Sequence, residues 1–553
     1  MASILPRTDP NPEAPTNPQQ NTLYESTMKM FKEAKARRDN WVSTWDEIND
    51  YVLPGREGFF DSNTGSQSYG DKRTDLIYDE TAVVGVPRFA SRLQLGFFPP
   101  NGRAFRLMPG PEYPGNVRSQ KIMAEYLIGR LKCLNVAELD NATDLIHEGL
   151  RNSNFNSELH EGLQDLGIGT MNMICEPGRF VGDLKFTAVP ATHVALLSAK
   201  GDEVGCWFHW RNDLPLRDLQ QTYPHFKLTK LIIEDIKRNP DKKIKIIEAT
   251  MVNKDKPFED SWIKVCISET HKTVLYQTEY LGAGSNPWIS TRWSKSGFEV
   301  WGRGPILQAM PAIKTLNLTV KLILENAEMA IAGAYLYDDD GVFNPENIIL
   351  QPGTFVPRAS GSKIEPLTSP SRFDVAQLVL EEQRRNVRKA LFIDELDREG
   401  AKTPLSATEV SQRLAEVARD MGAVAGRMQR EFLQPLVNRI VFLYTEMGLL
   451  DLPRIDGRQI RVVPASPLLR AQDFQDISDF SRFNETIMGS FGQQMSMLLM
   501  NRERTVKWLA SKFGIDEDLL NTPEELQAEV EQAQNIMQQA QGAQGGQPPG
   551  QGG

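Results

Sequence analysis

The segment WGRGPILQAMPAIKTLNLTVKLILENAEMAIAG, residues 301–333, carries a helical pattern around which the rest of the chain can be arranged. Its spacing predicts a helix over 305–333, about 29 residues or roughly 43 Å at ~1.5 Å per residue. Pro311 falls within the first two turns, where a missing N–H costs least, so the helix continues through it. The apolar face consists of Met310, Ile313, Val320, Leu324, Ala327 and Ile331.

Downstream of this helix, short strands give way to two more helices. Residues 334–371 are rich in Pro and Gly and predict short strands with turns, and 373–391 predict a second helix. A polar segment, 394–405, precedes Ser406-Ala407-Thr408-Glu409, a capping box that predicts a third, longer helix over 406–447. Pro435 predicts a bend in it near residues 431–435.

The last part of the chain predicts a strand at 459–464 and helices over 472–513. Its aromatic and aliphatic residues at helical spacing predict core packing; they are Phe474, Ile477, Phe480 and Phe483. Residues 526–553 are dominated by Gln, Gly, Ala and Pro and predict a flexible tail, because such a composition buries too little apolar area to order itself.

Upstream, the chain is first helical and then β-rich. Residues 1–22 predict a disordered arm, and Thr22 with Glu25 predicts the start of a helix that ends before Pro54. Further helices are predicted over 76–98, 118–133 and 137–167. Between 184 and 294, short β-prone runs separated by turns favour an antiparallel sheet with some helix inserted. A parallel doubly wound sheet is the alternative, but it needs a regular strand and helix alternation that is not visible. The fold class is therefore α+β.

The bulk properties are those of a folded chain without a strong affinity for polyanions. The 553 residues exceed the size of one hydrophobic core, and the formal charge of -10 with a pI near 5.4 argues against a DNA-gripping domain. No apolar run is long enough for a membrane span, and no signal-peptide core precedes the first helix. The four cysteines are too far apart for a CxxC knuckle, which favours reduced, buried thiols: Cys133, Cys175, Cys206 and Cys266.

Motifs for catalysis, nucleotides or metals are missing from the sequence. There is no GxxxxGK[ST] phosphate cradle, no HExxH and no GxSxG. Gly302-Arg303-Gly304-Pro305 lacks the third glycine of a dinucleotide loop and is better interpreted as a turn that opens a helix. The run Asp338, Asp339, Asp340 fails the calcium-loop pattern, and His209 is interpreted as a packed strand residue. We therefore expect no catalytic residue, no metal site and no cofactor.

Three motifs, in order and at the right separations, resemble the head-to-tail connector (portal) family of short-tailed, podovirus-type bacteriophages. Residues 97–107, from Phe97-Phe98-Pro99-Pro100 through Phe105 to Leu107, resemble an N-terminal family signature. The second motif is Trp301, Gly302, Arg303, Gly304 and Pro305, followed by Lys314-Thr315-Leu316-Asn317. The third is Thr408, Glu409 and Val410 with Arg413 and Glu416. The resemblance extends along nearly the whole chain.

The resemblance implies a portal fold with wing, stem, clip and crown regions, a long kinked helix and an antiparallel sheet in the wing. It assigns the wing to 23–300 with 448–470, the stem helices to 305–333 and 373–391, and the clip to 334–371. The tunnel loop is then 392–405, the long helix 406–447 and the crown 472–525. The flexible tail at 526–553 matches no portal element.

The resemblance also implies function and partners. A ring of about twelve copies at one capsid vertex of the virion, assembled in the host cytoplasm, conducts double-stranded DNA during packaging and ejection without sequence readout. Terminase and tail adaptor or nozzle proteins dock on it, and major capsid and scaffolding proteins surround it. Docking is expected at Asp338, Asp339 and Asp340 of the clip. The residues expected at the DNA channel are Asp394, Glu395, Asp397, Arg398, Glu399 and Lys402.

Three alternatives remain open at this stage. The segment 394–405 is too charged to bury unpaired, and it could be a solvent loop on the outside of the ring instead of a collar in its lumen. An internal scaffold or minor capsid protein of the same virion would fit the acidic charge equally. A nucleotide-driven packaging enzyme is disfavoured by the missing phosphate cradle.

Overall fold

The computed structural model divides the chain into two compact units, Met1–Arg413 with Asp420–Ser466, and Leu414–Arg419 with Pro467–Gly553. The residues that the structure describes are 18–56, 58, 74–99, 102–110, 136–199, 203–226, 228–253, 256, 260–332, 335–337, 364–366, 373–393, 421–452, 455, 460–465, 477, 479–490, 505–506 and 508–509. Each unit is described by itself.

Helix α1 spans Pro18–Tyr51. It therefore begins four residues before the predicted capping box at Thr22 and overlaps the arm predicted to be disordered over 1–22, of which 1–17 lie outside the described residues. Proline suits the first turn of a helix, where its missing N–H has no intrahelical partner, so Pro18 can open α1. Trp45 and Ile48 on α1, and Val52 directly after it, are all buried, so one face of the helix packs against the rest of the unit.

Of the further N-terminal helices that were predicted, one is present with altered bounds and another is divided in two. Helix α2 spans Thr81–Phe97, within the predicted 76–98. The single helix predicted over 137–167 is wrong: α3, Val136–Asn152, and α4, Phe155–Ile168, are separate. The amide side chain of Asn154 bonds both backbone groups of Phe186, at 2.8 and 2.9 Å, and this distant strand interrupts the helical path. The helix predicted over 118–133 lies outside the described residues.

All described strand pairs are antiparallel, so the parallel doubly wound alternative is wrong. One sheet has the order β4-β5-β6-β7-β8. Its strands are β4 Val194–Ser198, β5 Val204–Pro215, β6 Lys243–Val252, β7 Ser261–Ser268 and β8 Thr273–Leu281. A second sheet has the order β3-β2-β9, with β2 Thr170–Pro177, β3 Leu184–Ala188 and β9 Trp288–Arg292.

The five-stranded sheet is covered on two sides. Helix α1 packs Met28 and Phe31 against Phe208, Trp210 and the neighbouring strands. A second cluster is formed by residues around the short helices α5 Leu219–Thr222 and α6 Lys230–Arg238. There Leu219 and Ile232 pack with Ile244 and Cys266. His209 lies buried in β5 with its ring edge-on to Trp288 at 6.0 Å, which confirms its prediction as a packed strand residue.

The helix predicted over 305–333 is present as α7, Pro305–Ala332, and the one predicted over 373–391 as α8, Phe373–Ala390. The two helices pack against each other. Within the segment between them, β10 Tyr335–Tyr337 pairs antiparallel with β11 Ile364–Pro366. The Gly302-Pro305 turn does open a helix, as predicted.

The described part of the third long helix departs from α geometry near the predicted bend. It consists of α9 Gly422–Met428, a π-helical turn over Gln429–Leu433 and α10 Gln434–Glu446. Pro435 stands at the start of α10, and a π turn is one of the recognised origins of a helix kink. The predicted start of this helix, 406–420, lies outside the described residues. Strand β12, Ile460–Pro464, matches the predicted strand and pairs with β1, Phe105–Pro109.

In the second unit, residues 479–490 are helical and the ring of Phe480 lies 5.2 Å from that of Trp508. Phe483, which was predicted to pack in a core, is 57% exposed among the described residues. Phe474 lies outside them.

Candidate functional site

Of the residues singled out in the sequence, the structure describes Trp301, Gly302, Arg303, Gly304 and Pro305. The proposed docking acids Asp338, Asp339 and Asp340 lie outside the described residues. The same is true of Thr408, Glu409 and Val410 and of the expected channel residues, which are Asp394, Glu395, Asp397, Arg398, Glu399 and Lys402. The site described here is therefore the base of α7 and the elements that hold α7 and α8.

The Gly302–Gly304 turn is bonded through its backbone to the junction between α4 and β2. The N–H of Gly302 donates to Thr170 Oγ1 at 2.8 Å, and the N–H of Gly304 donates to the carbonyl of Ile168 at 2.9 Å. Arg303 N–H donates to the carbonyl of Ser294 at 2.7 Å. Pro305, which has no N–H, follows as the first residue of α7. The start of the helix is thus placed by backbone hydrogen bonds.

The side chains on either side of this turn join it to α1. The indole of Trp301 meets that of Trp45 edge-on with ring centres 4.7 Å apart. The guanidinium of Arg303 lies 5.0 Å from the centre of the Trp41 ring and also bonds both oxygens of Glu299, at 2.7 and 3.0 Å. These hydrogen bonds lower the pKa of Glu299. Arg303 therefore bridges α1 and the loop before α7.

A second junction, formed by Asp79, holds α7 and α8 together. The Asn317 side chain on α7 accepts hydrogen bonds from the N–H groups of Tyr78 and Asp79, at 2.8 and 3.1 Å. Arg384 on α8 donates from Nε and a terminal nitrogen to Asp79 Oδ2, at 3.0 and 2.8 Å. Burial alone would raise the pKa of Asp79, but hydrogen bonds from Thr81 and Arg384 lower it below the ordinary value. The ionised carboxylate thus links the segment before α2 to α8, and the backbone of the same segment links it to α7 through Asn317.

The end of α8 is fixed by a defined cap. Phe392 adopts a φ of 56°, and the N–H groups of Phe392 and Ile393 donate to the carbonyls of Lys389 and Arg388, at 3.0 and 2.9 Å. This is the pattern of a left-handed helix cap, here with a bulky residue in place of glycine. Arg92 on α2 donates to the carbonyls of Phe392 and Ile393, at 2.9 and 2.6 Å. The point at which the chain leaves α8 is therefore set by α2.

The π-helical turn is clamped to β9. Arg292 donates to Glu431 from its backbone N–H, its Nε and a terminal nitrogen, at 3.1, 3.2 and 2.7 Å. Further along, the buried Arg439 donates from Nε to the carbonyl of Cys175 at 3.0 Å and from a terminal nitrogen to Ser285 at 2.7 Å. An arginine in the fork geometry suits such multiple acceptors. The π turn presents Glu431 to Arg292.

A partly buried group of titratable side chains lies on the five-stranded sheet. Glu248 accepts from Tyr223 at 2.6 Å and pairs with Lys264 at 3.0 Å. Burial opposes the charge on Glu248, yet Lys264 and His209 lower its pKa to about 2. Burial also lowers the pKa of His209 to about 4. An ionised, paired carboxylate beside a neutral imidazole is a satisfied structural network, and its acid has no proton to give at neutral pH.

Within the described part of the chain, no group of three or more His, Cys, Asp or Glu side chains is arranged to hold a metal ion. No helix of that part is both long and apolar enough to cross a membrane. Cys175 and Cys266 are buried free thiols, and Cys206 is also buried. Burial raises the pKa of Cys175 to about 12, which makes it a poor nucleophile.

Sequence reasoning missed two long-range ion pairs that position α8 and the π-helical turn. Asp79 and Arg384 are 305 positions apart, and Arg292 and Glu431 are 139 apart. Neither pair belongs to a local motif. The glycines at 302 and 304 were interpreted from the sequence as a turn that opens a helix, and the structure shows that Gly302 also makes a close backbone approach to Gly169.

Comparison with known proteins places this arrangement in a family. A family model described as "Bacteriophage head to tail connecting protein" matches residues 25–520. A "Probable portal protein" of Bordetella phage BPP-1 is 21% identical over 524 residues, covering 91% of this chain and 89% of the relative.

Solved structures of gene transfer agent (GTA) particles also match. A chain of the virion of the native particle is 12% identical, with 83% of this chain and 98% of that chain covered and a TM-score of 0.31. A chain from the neck of the native particle computed with C12 symmetry is 14% identical, with the same coverages and a TM-score of 0.30. Because the family model extends from residue 25 to residue 520, the chain belongs to the bacteriophage head to tail connecting protein family.

Proposed function

We propose that this protein is a portal: a non-enzymatic subunit of a closed ring at one capsid vertex, through which double-stranded DNA enters and leaves the phage head. The observation that carries the proposal is the family match over residues 25–520. The relative from Bordetella phage BPP-1, which is named a probable portal protein and aligned over 91% of this chain, supports it.

The proposed regions follow the described elements. Helices α7 and α8 would form the stem, because they pack together and are held at Asn317 and Arg384 by one short segment around Asp79. The segment 334–371 would form the clip, and the pairing of β10 with β11 supports a compact insertion. The pairing of β12 with β1 supports the assignment of 448–470 to the wing with 23–300. The tunnel loop at 392–405, the long helix at 406–447 and the crown at 472–525 complete the proposal.

The proposed partners follow from these regions. Terminase, and later a tail adaptor or nozzle protein, would dock on the clip, while major capsid and scaffolding proteins would surround the ring in the virion. The formal charge of -10 per chain supports a channel through which DNA passes and not a site that binds DNA tightly, because a ring that is acidic on average does not hold phosphates tightly. DNA would pass without sequence readout.

Electron microscopy of the purified full-length protein, with a mass measurement of the assembled species, tests the proposal. We expect rings with a central hole, a mass near that of about twelve subunits, and no hydrolysis of ATP in a phosphate-release assay. A stable monomer at high concentration and physiological salt, which forms no ring even with the other head proteins, would count decisively against a portal. ATP hydrolysis that copurifies with the rings would contradict the non-enzymatic role.

A further inference from the structure

The last two turns of α8 carry a cluster of cations on a chain whose net charge is -10. Arg385, Arg388 and Lys389 stand at positions i, i+3 and i+4, so they share one face of the helix. All three side chains are exposed. Among the residues that the structure describes, no acidic side chain lies within ion-pair distance of any of them. The neighbouring Arg384, by contrast, forms ion pairs with Asp79 and Glu381.

These three cations project from a part of the helix that cannot easily move. Val387 and Leu391 are buried, at 0% and 1% exposure. The helix end is closed by the cap at Phe392, and Arg92 holds the carbonyls of Phe392 and Ile393. A cation on a fixed turn loses less freedom on binding a ligand than one on a mobile loop. The three cations are therefore exposed and held in place, as is suitable for binding an anionic partner.

Stabilisation of the helix end explains only part of this charge. A cation in the last turn interacts favourably with the helix dipole, and this accounts for Arg388 and Lys389. Arg385 lies outside that turn. Within the described part of the chain these three cations have no ionic partner, and because they lie within two turns they repel one another, so a bound anion would lower the energy of the group.

We propose that Arg385, Arg388 and Lys389 form a contact for the phosphate backbone of double-stranded DNA. The inference rests on the proposed portal function and adds the residues that meet the passing duplex. From Arg385 to Lys389 the helix rises by about 6 Å, which spans roughly two phosphates along one strand at ~3.4 Å each. Each protomer would contribute a weak, sequence-independent contact, and a duplex could move from one such contact to the next.

The test measures binding of a fluorescein-labelled duplex of about 30 base pairs to the assembled wild-type protein by fluorescence anisotropy across a salt series. In the variant R385A/R388A/K389A we expect affinity to fall at least about tenfold at ~0.1 M salt, and the slope of log K against log salt to become shallower by about 1 to 3. The control is K230A/K237A/K243A, which removes the same charge from three other exposed cations near α6. It should bind as the wild type does.

Further readouts separate this inference from the proposed function. Rings seen by microscopy for all variants establish that assembly, and therefore the portal proposal, is unaffected. The variant R385K/R388K keeps the charge and should keep most of the affinity, even if the alanine variant folds poorly. Equal losses in the alanine variant and the control, or no DNA binding by the wild type, would overturn the proposal. A third outcome would also overturn the proposal: unlabelled DNA does not compete with the labelled duplex, and an acidic protein of the head binds the cluster instead.

Discussion

Gly302 and Gly169 meet at backbone contact. A Cβ placed on Gly302 would lie 2.2 Å from the carbonyl oxygen of Gly169, and a Cβ placed on Gly169 would lie 2.1 Å from the carbonyl oxygen of Gly302. The approach is reciprocal and involves main-chain atoms on both sides, so no side chain can swing away to make room. The first turn of α7 is seated on the end of α4 through this contact.

The variant G302A is therefore expected to be destabilised by about 2 to 3 kcal/mol, because the added methyl group must displace backbone. Differential scanning calorimetry should show a lower melting temperature. The control is G426A, since Gly426 is helical and has no atom within 4 Å of its would-be Cβ. Alanine favours a helix by up to about 1 kcal/mol over glycine, so G426A should melt at or above the wild-type temperature. Identical melting of both variants would contradict this role for Gly302.

Replacement of Asp79 by asparagine is expected to lower stability at neutral pH by about 2 kcal/mol, because Arg384 loses a charged acceptor. The pKa of Asp79 is lower in the folded protein than its ordinary value of 3.8. Its contribution is therefore complete above that value and is lost as the pH falls through the folded-state pKa. Urea denaturation should show a difference between wild type and D79N at pH 7 that shrinks below about pH 4.

The control for Asp79 is Glu381, an exposed acid 3.6 Å from Arg384. The variant E381Q should change stability by less than about 0.5 kcal/mol, as is usual for exposed ion pairs. A difference between wild type and D79N that is independent of pH would show that the ionised carboxylate is not what stabilises this junction.

Replacement of Asp338, Asp339 and Asp340 together by serine is expected to impair docking of terminase and of the tail adaptor while leaving rings intact. The reason is their proposed place in the clip, the insertion between the two stem helices. Pull-down of terminase with purified rings, and counts of tailed particles, provide the measurements. A control with glutamine at the exposed residues Glu203, Glu234 and Glu446 removes the same charge elsewhere. Normal packaging and normal tail attachment in the serine variant would remove the docking assignment.

Deletion of residues 396–402 is expected to preserve ring assembly but to reduce the amount of DNA retained in filled heads. The segment 394–405 contains four acids and two bases, a net charge of -2, so a lumenal collar would centre the duplex by repulsion. That repulsion is screened within about 10 Å at ~0.1 M salt. The DNA content of purified heads, with rings confirmed by microscopy, is the measurement. Full genome retention would place this segment on the outside of the ring instead.

Local patterns in the sequence were sufficient for most elements of the fold. The apolar spacing from Met310 to Ile331 predicted α7 to within one residue of its observed end, and the β-prone runs predicted the strands of the antiparallel sheet. Where prediction went wrong, a distant residue competed with the local pattern. Asn154 shows this, because its bonds to Phe186 divide what the sequence indicates as one helix.

By itself, the sequence determined the α+β class, most of the described helices and strands in their order, the turn at Gly302-Pro305 and the absence of a phosphate cradle. These depend on neighbours within a few positions, where propensity, capping and periodicity act. Only the tertiary structure decided the long-range contacts. Gly302 packs against the backbone of Gly169. Arg384 forms a hydrogen-bonded ion pair with Asp79, and Arg292 forms one with Glu431. Hydrogen bonds form between whichever groups the fold brings within about 3 Å. Groups more than a hundred positions apart share no local sequence pattern, so these contacts could not be predicted from the sequence.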